Sequence, residues 1–394
     1  IDMSVWVDEH LGQASPDLLR NMVKTFAEAM MAADADAVCG AAYGTVCEDR
    51  VNYRNGYRDR EWDNRVGTVA LQLPRLGGVA IFAGLAAATV VVRQLPYLKG
   101  VYVSGQMTGV LLGAAVICLI GAIDDVRELD WMTKFAGQVL AAGVMAYKGV
   151  IMLHVPFFGT STVLPQPVLI GVTVLIVLVT TNAVNFIDGL DGLAAGIVAI
   201  AALAFFIYSY LLSYTFNPPN VFSTATFVTA ATLGCCLGFL PHNFNPARLF
   251  MGDSGALLLG LLLAAATISI TGNVDPSAVS GDQVTAALLP IIAPLAVLSI
   301  PFLDMVLAVF RRARAGQKPW HPDSKHLHHR MLQIGHGHRG AVLILYLWAA
   351  VLAFGTVSWA IVGGWPTLAG IAVAVVVAVT LTAYLPRWVR ARRL

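Results

Sequence analysis

Residues 167–196, "PVLIGVTVLIVLVTTNAVNFIDGLDGLAAG", combine a long apolar run with a polar cluster at its end. The run carries no charged residue before Asp188. A helix of about 20 apolar residues crosses the hydrocarbon core of a bilayer. The stretch therefore predicts a transmembrane helix whose polar end lies at the membrane surface.

Apolar runs of this kind recur from Leu76 to the end of the chain. The 394 residues are 57% hydrophobic and 12% charged, with a mean hydropathy of +0.72, whereas soluble domains carry about 25% charged residues. Helices satisfy their own backbone groups in lipid, so we predict an all-α polytopic membrane protein with about ten transmembrane helices. The predicted spans are 76–92, 106–123, 135–152, 167–186, 192–213, 222–240, 254–271, 284–307, 340–362 and 366–386.

The first 73 residues differ from the rest because they are polar and contain no span. Helical spacing over 18–33 and alternation over 51–73 predict a small mixed α/β or partly disordered N-terminal extension. The stretch "RVNYRNGYRDREWDNRVGTVALQLPRL" resembles the N-terminal region of mutator-type transposases. The catalytic core of that family lies downstream of this region and is absent, so we expect no nucleic-acid partner. The predicted domains are thus 1–73, a non-functional transposase-like fragment, and 74–394, the membrane domain.

Basic residues are distributed unevenly between the two predicted membrane faces. If residue 76 starts on the cytoplasmic side, the outer loops contain three basic residues: Arg93, Lys99 and Lys148. The cytoplasmic connections and tail then contain fourteen: Arg127, Lys134, Arg248, Arg311, Arg312, Arg314, Lys318, Lys325, Arg330, Arg339, Arg387, Arg390, Arg392 and Arg393. Cytoplasmic loops carry an excess of Lys and Arg, which supports this orientation.

Four polar clusters fall on successive predicted cytoplasmic connections. They lie at 124–125, 182–191, 242–253 and 321–338. The outer loops carry no comparable clusters. Polar groups confined to one face predict one site at that interface, built from several connections.

The first two clusters supply oxygen atoms. Neighbouring helical residues point about 100° apart, so Asp124 and Asp125 can line one cleft without sharing a ligand. Either could be a general base or contact magnesium, although a solvated pair near a helix N-terminus is an alternative. The second cluster repeats oxygen-bearing residues every three positions, which suits magnesium or, alternatively, helix capping: Asn182, Asn185, Asp188 and Asp191.

The third and fourth clusters suit an anionic substrate. Asp253 begins a predicted helix, where phosphate is attracted, but it could equally be an N-cap. Phe250 could stack on a base or anchor its loop. Six of the nine histidines lie within 321–338; a His-rich tract suggests metal binding, but the interspersed Lys and Arg favour a polyanion. Magnesium ligands, a cationic loop and membrane helices together suit a diphosphate substrate and a lipid acceptor.

At these motifs the sequence resembles a known membrane enzyme family. "DDVRELDWMTKFAGQ", "NAVNFIDGLDGLAAG", "GFLPHNFNPARLFMGDSG" and "HLHHR" resemble the polyprenyl-phosphate N-acetylhexosamine-1-phosphate transferases of glycosyltransferase family 4. Within that family the chain resembles the actinobacterial members of the WecA-like branch. The resemblance runs from about Pro74 to the C-terminus.

The resemblance implies transfer of GlcNAc 1-phosphate from UDP-GlcNAc to decaprenyl or undecaprenyl phosphate. The products would be polyprenyl-diphospho-GlcNAc and UMP, for cell-envelope polysaccharide synthesis. The implied cofactor is Mg²⁺, with Mn²⁺ as a substitute. The implied location is the inner (plasma) membrane, multi-pass, with a cytoplasmic active site. Family members can be dimers, so the resemblance leaves a homodimer open.

The resemblance also implies roles for individual residues. It assigns Asp124 and Asp125 to the lipid phosphate, one as base, with Asp188 supporting the metal centre and His328 in the catalytic set. The implied metal ligands are Asn185 and Asp253. The implied substrate-binding residues are Lys134, Asn182, Asp191, Asn243, Phe250, His326, His329 and Arg330, of which Lys134 would contact phosphate and Asp191 and Phe250 would face uracil. His326, His328, His329 and Arg330 would bind the sugar phosphate.

One departure from the family pattern keeps alternatives open. Family members usually have eleven spans, and here the transposase-like piece stands in place of the first helix, before "LPRLGGVAIF". An inactive fusion product is therefore one alternative. A phospho-MurNAc-pentapeptide transferase is another, although "HLHHR" fits the WecA-like branch better. A membrane transporter is the third, although its polar clusters should reach the midplane.

Overall fold

The structure is a computed structural model that describes most of the membrane domain. The described residues are 57–64, 67–74, 76–102, 105–127, 129–152, 155–157, 160–162, 165–216, 223–272 and 337–391, with isolated positions 299, 306, 310 and 314. The chain divides into two compact units, one of Ile1–Leu76 with Arg248–Phe250 and the other of Gly77–Ala247 with Met251–Leu394. The boundary between the N-terminal segment and the helical unit thus falls between Leu76 and Gly77.

The first unit contains a two-stranded antiparallel hairpin. Strand β1, Tyr57–Asn64, pairs with β2, Gly67–Pro74, in a register that places Trp62 opposite Val69. Two residues separate the strands, the commonest length for a hairpin connection. The predicted strands within 51–73 are therefore confirmed, while the predicted helical stretch at 18–33 lies outside the described residues.

The second unit is built from helices. In the described part of the chain these are α1 (Gly77–Gln94), α2 (Gln106–Arg127), α3 (Trp131–Tyr147), α4 (Gln166–Ile187), α5 (Leu193–Phe216), α6 (Thr224–Asn243), α7 (Gly252–Gly272), α8 (His338–Ile361) and α9 (Gly364–Ala391). A 3₁₀ helix, Pro96–Tyr102, links α1 to α2. Two three-residue strands, β3 (Val155–Phe157) and β4 (Thr160–Thr162), form a small hairpin between α3 and α4.

These helices confirm an all-α polytopic membrane protein. Among the described residues, eight helices are long and apolar enough to cross a membrane. The remaining one, α3, has 17 residues, which at 1.5 Å per residue span about 25 Å. Nine of the ten predicted spans thus correspond to described helices, and the predicted span 284–307 lies outside them.

Helix α7 occupies the centre of the bundle. Within its membrane-spanning window 94% of residues are buried, against 6% for α9. Helices α1, α2, α4 and α6 all pack against α7. Its sequence is apolar on every side, which is typical of a helix enclosed by others. Where α4 crosses it, a methyl group at Gly260 would lie 2.5 Å from Thr181 Cα, so glycine permits this close approach.

Local signals set the helix ends on the polar side of the bundle. Asp130 is the N-cap of α3, where its side chain accepts from the backbone amides of Met132 and Thr133. Helix α4 ends at Ile187 with Asp188 as its C-cap. Gly192 has φ +79°, a left-handed conformation open to glycine, and this turn starts α5. Its position is held by Tyr346 of α8, whose hydroxyl donates to the Gly192 carbonyl.

Candidate active site

Three of the four polar clusters meet at one end of the helix bundle. The C-terminal end of α2, the first turn of α3, the C-terminal end of α4 and the N-terminus of α7 all contribute side chains there. Direct hydrogen bonds join residues that are 119, 68 and 128 positions apart in sequence. The convergence predicted from the sequence is therefore present for the described clusters.

A lysine lies between two carboxylates at the centre of this site. Lys134 Nζ is 2.5 Å from Asp124 Oδ2 and 2.8 Å from Asp253 Oδ2. Asp124 is 7% exposed, and its other oxygen accepts the Leu129 backbone amide at 2.6 Å. The Lys134 ammonium therefore lies between two carboxylates and offsets the repulsion between their charges.

Asn185 extends this group onto α4. Its Nδ2 donates to Asp253 Oδ1 over 3.1 Å, so both oxygens of Asp253 have partners. Asn185 lies two residues before the end of α4, where the helix leaves the bundle. The predicted metal ligands Asn185 and Asp253 are thus adjacent in space.

Asp125 points in a different direction from Asp124. Its Oδ1 accepts the Asp253 backbone amide at 2.8 Å, and its Oδ2 accepts the Ser254 amide at 3.1 Å and the Ser254 hydroxyl at 2.7 Å. Asp125 is 7% exposed. The first amides of a helix lack partners within it, and here a carboxylate from α2 supplies partners for two amides of α7.

Asp130 fixes the start of the helix that carries Lys134. Its carboxylate accepts the Thr133 hydroxyl at 2.5 Å and the backbone amides of Thr133 and Met132. The hydrogen bond from the Thr133 side chain is the main cause that holds the pKa of Asp130 below its usual value, with the two amides adding to it. Because α3 begins here, Lys134 lies in its first turn, facing α2 and α7.

A second group of contacts joins the α4–α5 turn to the α6–α7 connection. Asp191 Oδ2 accepts Asn245 Nδ2 at 3.1 Å and the Ala247 amide at 3.0 Å. Asn243 is buried, and its Oδ1 accepts the Gly192 amide at 3.0 Å. Asp191 and Asn243, both predicted to bind substrate, thus hold two connections together at the same end of the bundle.

The remaining predicted residues of the second and third clusters occupy different surroundings. Asp188 caps α4 and is partly exposed. Phe250 lies in the connection before α7 and is also partly exposed. Asn182 lies one turn deeper than Asn185, and its Nδ2 donates to Gln138 Oε1 at 2.7 Å and to the Leu178 carbonyl at 2.8 Å. Both amide protons of Asn182 are therefore used within the protein, and its substrate contact stays a prediction.

The fourth cluster cannot be placed. Residues 315–336 lie outside the described part of the chain, and they include His326, His328, His329 and Arg330. Their assignment to a sugar phosphate stays a prediction.

The donor atoms fit a small, hard divalent cation. Asp253 and Asn185 touch each other, and Asp124 shares Lys134 with Asp253. Carboxylate and amide oxygens are the ligands that Mg²⁺ prefers, and a half-turn of the Asn185 amide would bring its oxygen beside Asp253. Among the described residues, no three His, Cys, Asp or Glu side chains group as a metal site, so the donor set needs the amide.

Sequence reasoning missed several residues that shape this site. Gln138 is 4% exposed and binds Asn182; a single amide inside the apolar run 135–152 is the signal that could have found it. Ser254 follows Asp253 at the start of α7, and its hydroxyl donates to Asp125. Gly78 donates its amide to the Met251 carbonyl at 3.0 Å, and no sequence signal separates it from other small residues of α1.

Comparison with known proteins places the membrane domain in a family. Residues 107–271 match the model of glycosyl transferase family 4. The chain is 44% identical over 313 residues to the decaprenyl-phosphate N-acetylglucosaminephosphotransferase of Mycolicibacterium smegmatis, covering 78% of this chain and 77% of that protein. The chain belongs to glycosyl transferase family 4. It is also 32% identical, over 70% of both chains, to the probable undecaprenyl-phosphate N-acetylglucosaminyl 1-phosphate transferase of Bacillus subtilis.

Membership in glycosyl transferase family 4 gives the site its chemistry. Members are divalent-metal-dependent phosphotransferases, in agreement with the donor set at Asn185 and Asp253. The matched residues 107–271 contain the described clusters on α2, α3, α4 and α7. The predicted enzyme class, a membrane-bound phosphosugar transferase, is confirmed.

The N-terminal segment has separate relatives. Residues 2–82 match the model of the Mutator family of transposases. The chain is 47% identical over 76 residues to the transposase for insertion sequence element IS1081 of Mycobacterium tuberculosis, covering 19% of this chain and 18% of that protein. The predicted resemblance is therefore confirmed, and the match spans less than a fifth of that transposase.

Proposed function

We propose that this chain transfers GlcNAc 1-phosphate from UDP-GlcNAc to a polyprenyl phosphate, decaprenyl or undecaprenyl phosphate, and releases UMP. The observation that carries the proposal is the cluster of Asp124, Lys134, Asn185 and Asp253 at one end of a membrane bundle. A relative with the decaprenyl-phosphate activity in its name is 44% identical over most of the chain. The product would enter cell-envelope polysaccharide synthesis.

The reaction exchanges one phosphoanhydride bond for another. An oxygen of the lipid phosphate attacks the phosphorus that carries the sugar, and the bond from that phosphorus to the UMP oxygen breaks. The donor keeps its sugar–phosphate bond, and UMP leaves with the electron pair. Such transfers depend on positioning and neutralisation of charge. Lys134 suits this role because two carboxylates hold its ammonium and its side chain is 31% exposed, so an arriving phosphate could reach it.

The metal would be held by Asn185 and Asp253, with Asp188 supporting them. We propose Mg²⁺, which prefers oxygen ligands and binds substrate phosphates, with Mn²⁺ as its substitute. When bound, it would neutralise charge on the donor diphosphate. Binding would also redistribute the contacts of Asp253, because Lys134 and Asn185 Nδ2 already bind its oxygens.

The other substrate contacts follow the family resemblance. Asp191 and Phe250 would face uracil, and His326, His328, His329 and Arg330 would bind the sugar phosphate. Asn182 and Asn243 would support substrate binding indirectly, by holding neighbouring segments in place. Asn182 donates to Gln138, and Asn243 accepts the Gly192 amide. The lipid bilayer surrounds the acceptor, whose chain would approach between membrane helices. A homodimer remains compatible with this scheme.

The site would face the cytoplasm of the inner (plasma) membrane. The basic residues of the chain favour this orientation, because cytoplasmic loops carry an excess of Lys and Arg. We also propose that residues 1–73 take no part in transfer and bind no nucleic acid. Removing them should leave UMP release per folded molecule unchanged.

One assay tests the transfer and its rivals. Purified protein is incubated with UDP-GlcNAc and decaprenyl phosphate, with Mg²⁺ or with EDTA, and both UMP and lipid product are measured. We expect both products only with Mg²⁺ and only with intact Asp253, tested by Asp253→Ala. Lipid product only with UDP-MurNAc-pentapeptide would instead identify a phospho-MurNAc-pentapeptide transferase.

Two further outcomes separate the remaining alternatives. Metal-independent uptake of a UDP-sugar into proteoliposomes, without UMP release, would identify a transporter. No product despite correct membrane insertion, with activity restored by a preceding family helix, would identify an inactive fusion product.

A further inference from the structure

Asp124 and Asp125 are neighbours in sequence, but their carboxylates contact different helices. Asp124 contacts Lys134, and through it Asp253. Within the described part of the chain, the hydrogen bonds of Asp125 go to the first turn of α7: the Asp253 amide, the Ser254 amide and the Ser254 hydroxyl. The two adjacent carboxylates therefore diverge, as the 100° step of a helix requires.

The contacts of Asp125 leave it little capacity to accept a proton from substrate. A carboxylate offers about four acceptor positions, and three donors from α7 already bind Asp125 within 3.1 Å. A general base needs an oxygen within hydrogen-bonding reach of the proton it removes, and both Asp125 oxygens face α7.

The backbone around these bonds is packed too closely to shift easily. A methyl group at Gly121, one turn before Asp125 on α2, would lie 2.4 Å from Ser254 Cα. A methyl group at Gly78 of α1 would lie 2.2 Å from the Gly255 amide nitrogen, and the Gly78 amide donates to Met251. Helices α1, α2 and α7 thus meet through glycines at the point that Asp125 holds.

We propose that Asp125 is a positioning residue that fixes the N-terminus of α7 and, through it, the predicted metal ligand Asp253. Asp125 holds the backbone of Asp253 on one side. The side chain of Asp253 then reaches Lys134 at 2.8 Å and Asn185 at 3.1 Å on the other. The acceptor oxygens of Asp125 thereby set where Asp253 can hold a cation. This inference rests on the proposed transfer reaction.

Binding of Mn²⁺ by the purified protein, followed by electron paramagnetic resonance, tests the positioning role without turnover. We expect Asp125→Asn to weaken Mn²⁺ binding about 10- to 100-fold, the usual effect of removing a group that orients a metal ligand. Ser254→Ala should weaken it less, because one of three bonds is lost. The double variant should bind no more weakly than Asp125→Asn, because both changes remove parts of one interaction.

The pH dependence of UMP release separates positioning from proton transfer. Asp125→Asn should lower kcat while keeping the shape of the wild-type pH profile, because a positioning residue takes no proton from substrate. Gly143→Ala on α3 is the control, because nothing lies within 4 Å of its added methyl group. That variant should match the wild type in both measurements.

The outcomes distinguish this inference from the proposed reaction. Loss of the acidic limb in Asp125→Asn, with normal Mn²⁺ binding in Ser254→Ala, would overturn the positioning role and make Asp125 the base. Absence of UMP release by the wild type would overturn the proposed reaction, and the Mn²⁺ affinities would still decide the positioning role. If Asp125→Asn fails to fold, as judged by size-exclusion chromatography, Ser254→Ala decides: wild-type Mn²⁺ affinity there refutes the inference.

Discussion

Lys134 Nζ lies 2.8 Å from Asp253 Oδ2, although 119 positions separate the two residues in sequence. The contact joins the first turn of α3 to the first turn of α7. Lys134 is also 2.5 Å from Asp124, so one ammonium links three helices. The first and third polar clusters meet at this ammonium, and Asn185 of the second cluster joins them through Asp253 Oδ1. The first predictions follow from this grouping.

Replacing Lys134 by methionine should abolish most activity. The change leaves Asp124 and Asp253 without their shared cation and removes a positive charge from the donor phosphates. We expect kcat for UMP release to fall about 100-fold or more, as for loss of a group that stabilises developing charge. Lys134→Arg, which keeps the charge, should retain more activity. Equal losses in both variants would show that shape, not charge, matters at this position.

Replacing Asp253 by asparagine should weaken Mg²⁺ binding and slow turnover. The variant keeps the backbone amide that Asp125 holds, so α7 should stay in place while a charged ligand is lost. We expect the Mg²⁺ concentration for half-maximal UMP release to rise about 10-fold or more. Asp130→Asn is the control for loss of an aspartate charge nearby. An unchanged Mg²⁺ requirement would remove Asp253 from the metal site.

Replacing Gly121 by alanine should destabilise the protein. Its methyl group would lie 2.4 Å from Ser254 Cα, a backbone atom, so α2 and α7 must separate. We expect a loss of about 1–3 kcal/mol in stability, measured as a lower midpoint of thermal unfolding in detergent. Gly143→Ala on α3 is the matched control, because nothing lies within 4 Å of its added methyl. Equal midpoints for both variants would contradict the close packing at Ser254.

Replacing Asp130 by alanine should lower stability in a pH-dependent manner. The pKa of Asp130 is depressed in the folded protein, chiefly by the Thr133 side chain, so its ionised form stabilises the fold. That contribution is present above the unfolded pKa and is lost as pH falls through the folded one. The gap in unfolding midpoint between wild type and Asp130→Ala should therefore stay constant from neutral pH to about pH 5 and shrink below about pH 4.

The control for this comparison is Asp130→Asn, which keeps a neutral cap. Its unfolding midpoint should lie between those of the wild type and Asp130→Ala at neutral pH and should not follow the same acidic change. A gap that widens on acidification would mean that Asp130 does not act through its ionised carboxylate.

The amino-acid sequence alone determined the membrane architecture and predicted that several polar clusters lie at one membrane face. Long apolar runs predicted nine of the described helices, because burial in lipid leaves a simple composition signal. The same sequence placed Asp124, Lys134, Asn185 and Asp253 on predicted connections at one membrane face. It also separated the transposase-like segment, whose hairpin of β1 and β2 follows from alternating residues.

Only the tertiary structure decided which contacts each member of a cluster makes. Asn182 and Asn185 have equal standing in a three-residue repeat, yet Asn185 contacts Asp253 and Asn182 contacts Gln138. Asp124 and Asp125 are likewise equivalent in sequence, yet one binds Lys134 and the other holds α7. These differences depend on the packing of α2, α3, α4 and α7 through Gly121 and Gly260. A local pattern sets which way a side chain leaves its own helix, but the partner it meets depends on contacts between distant segments.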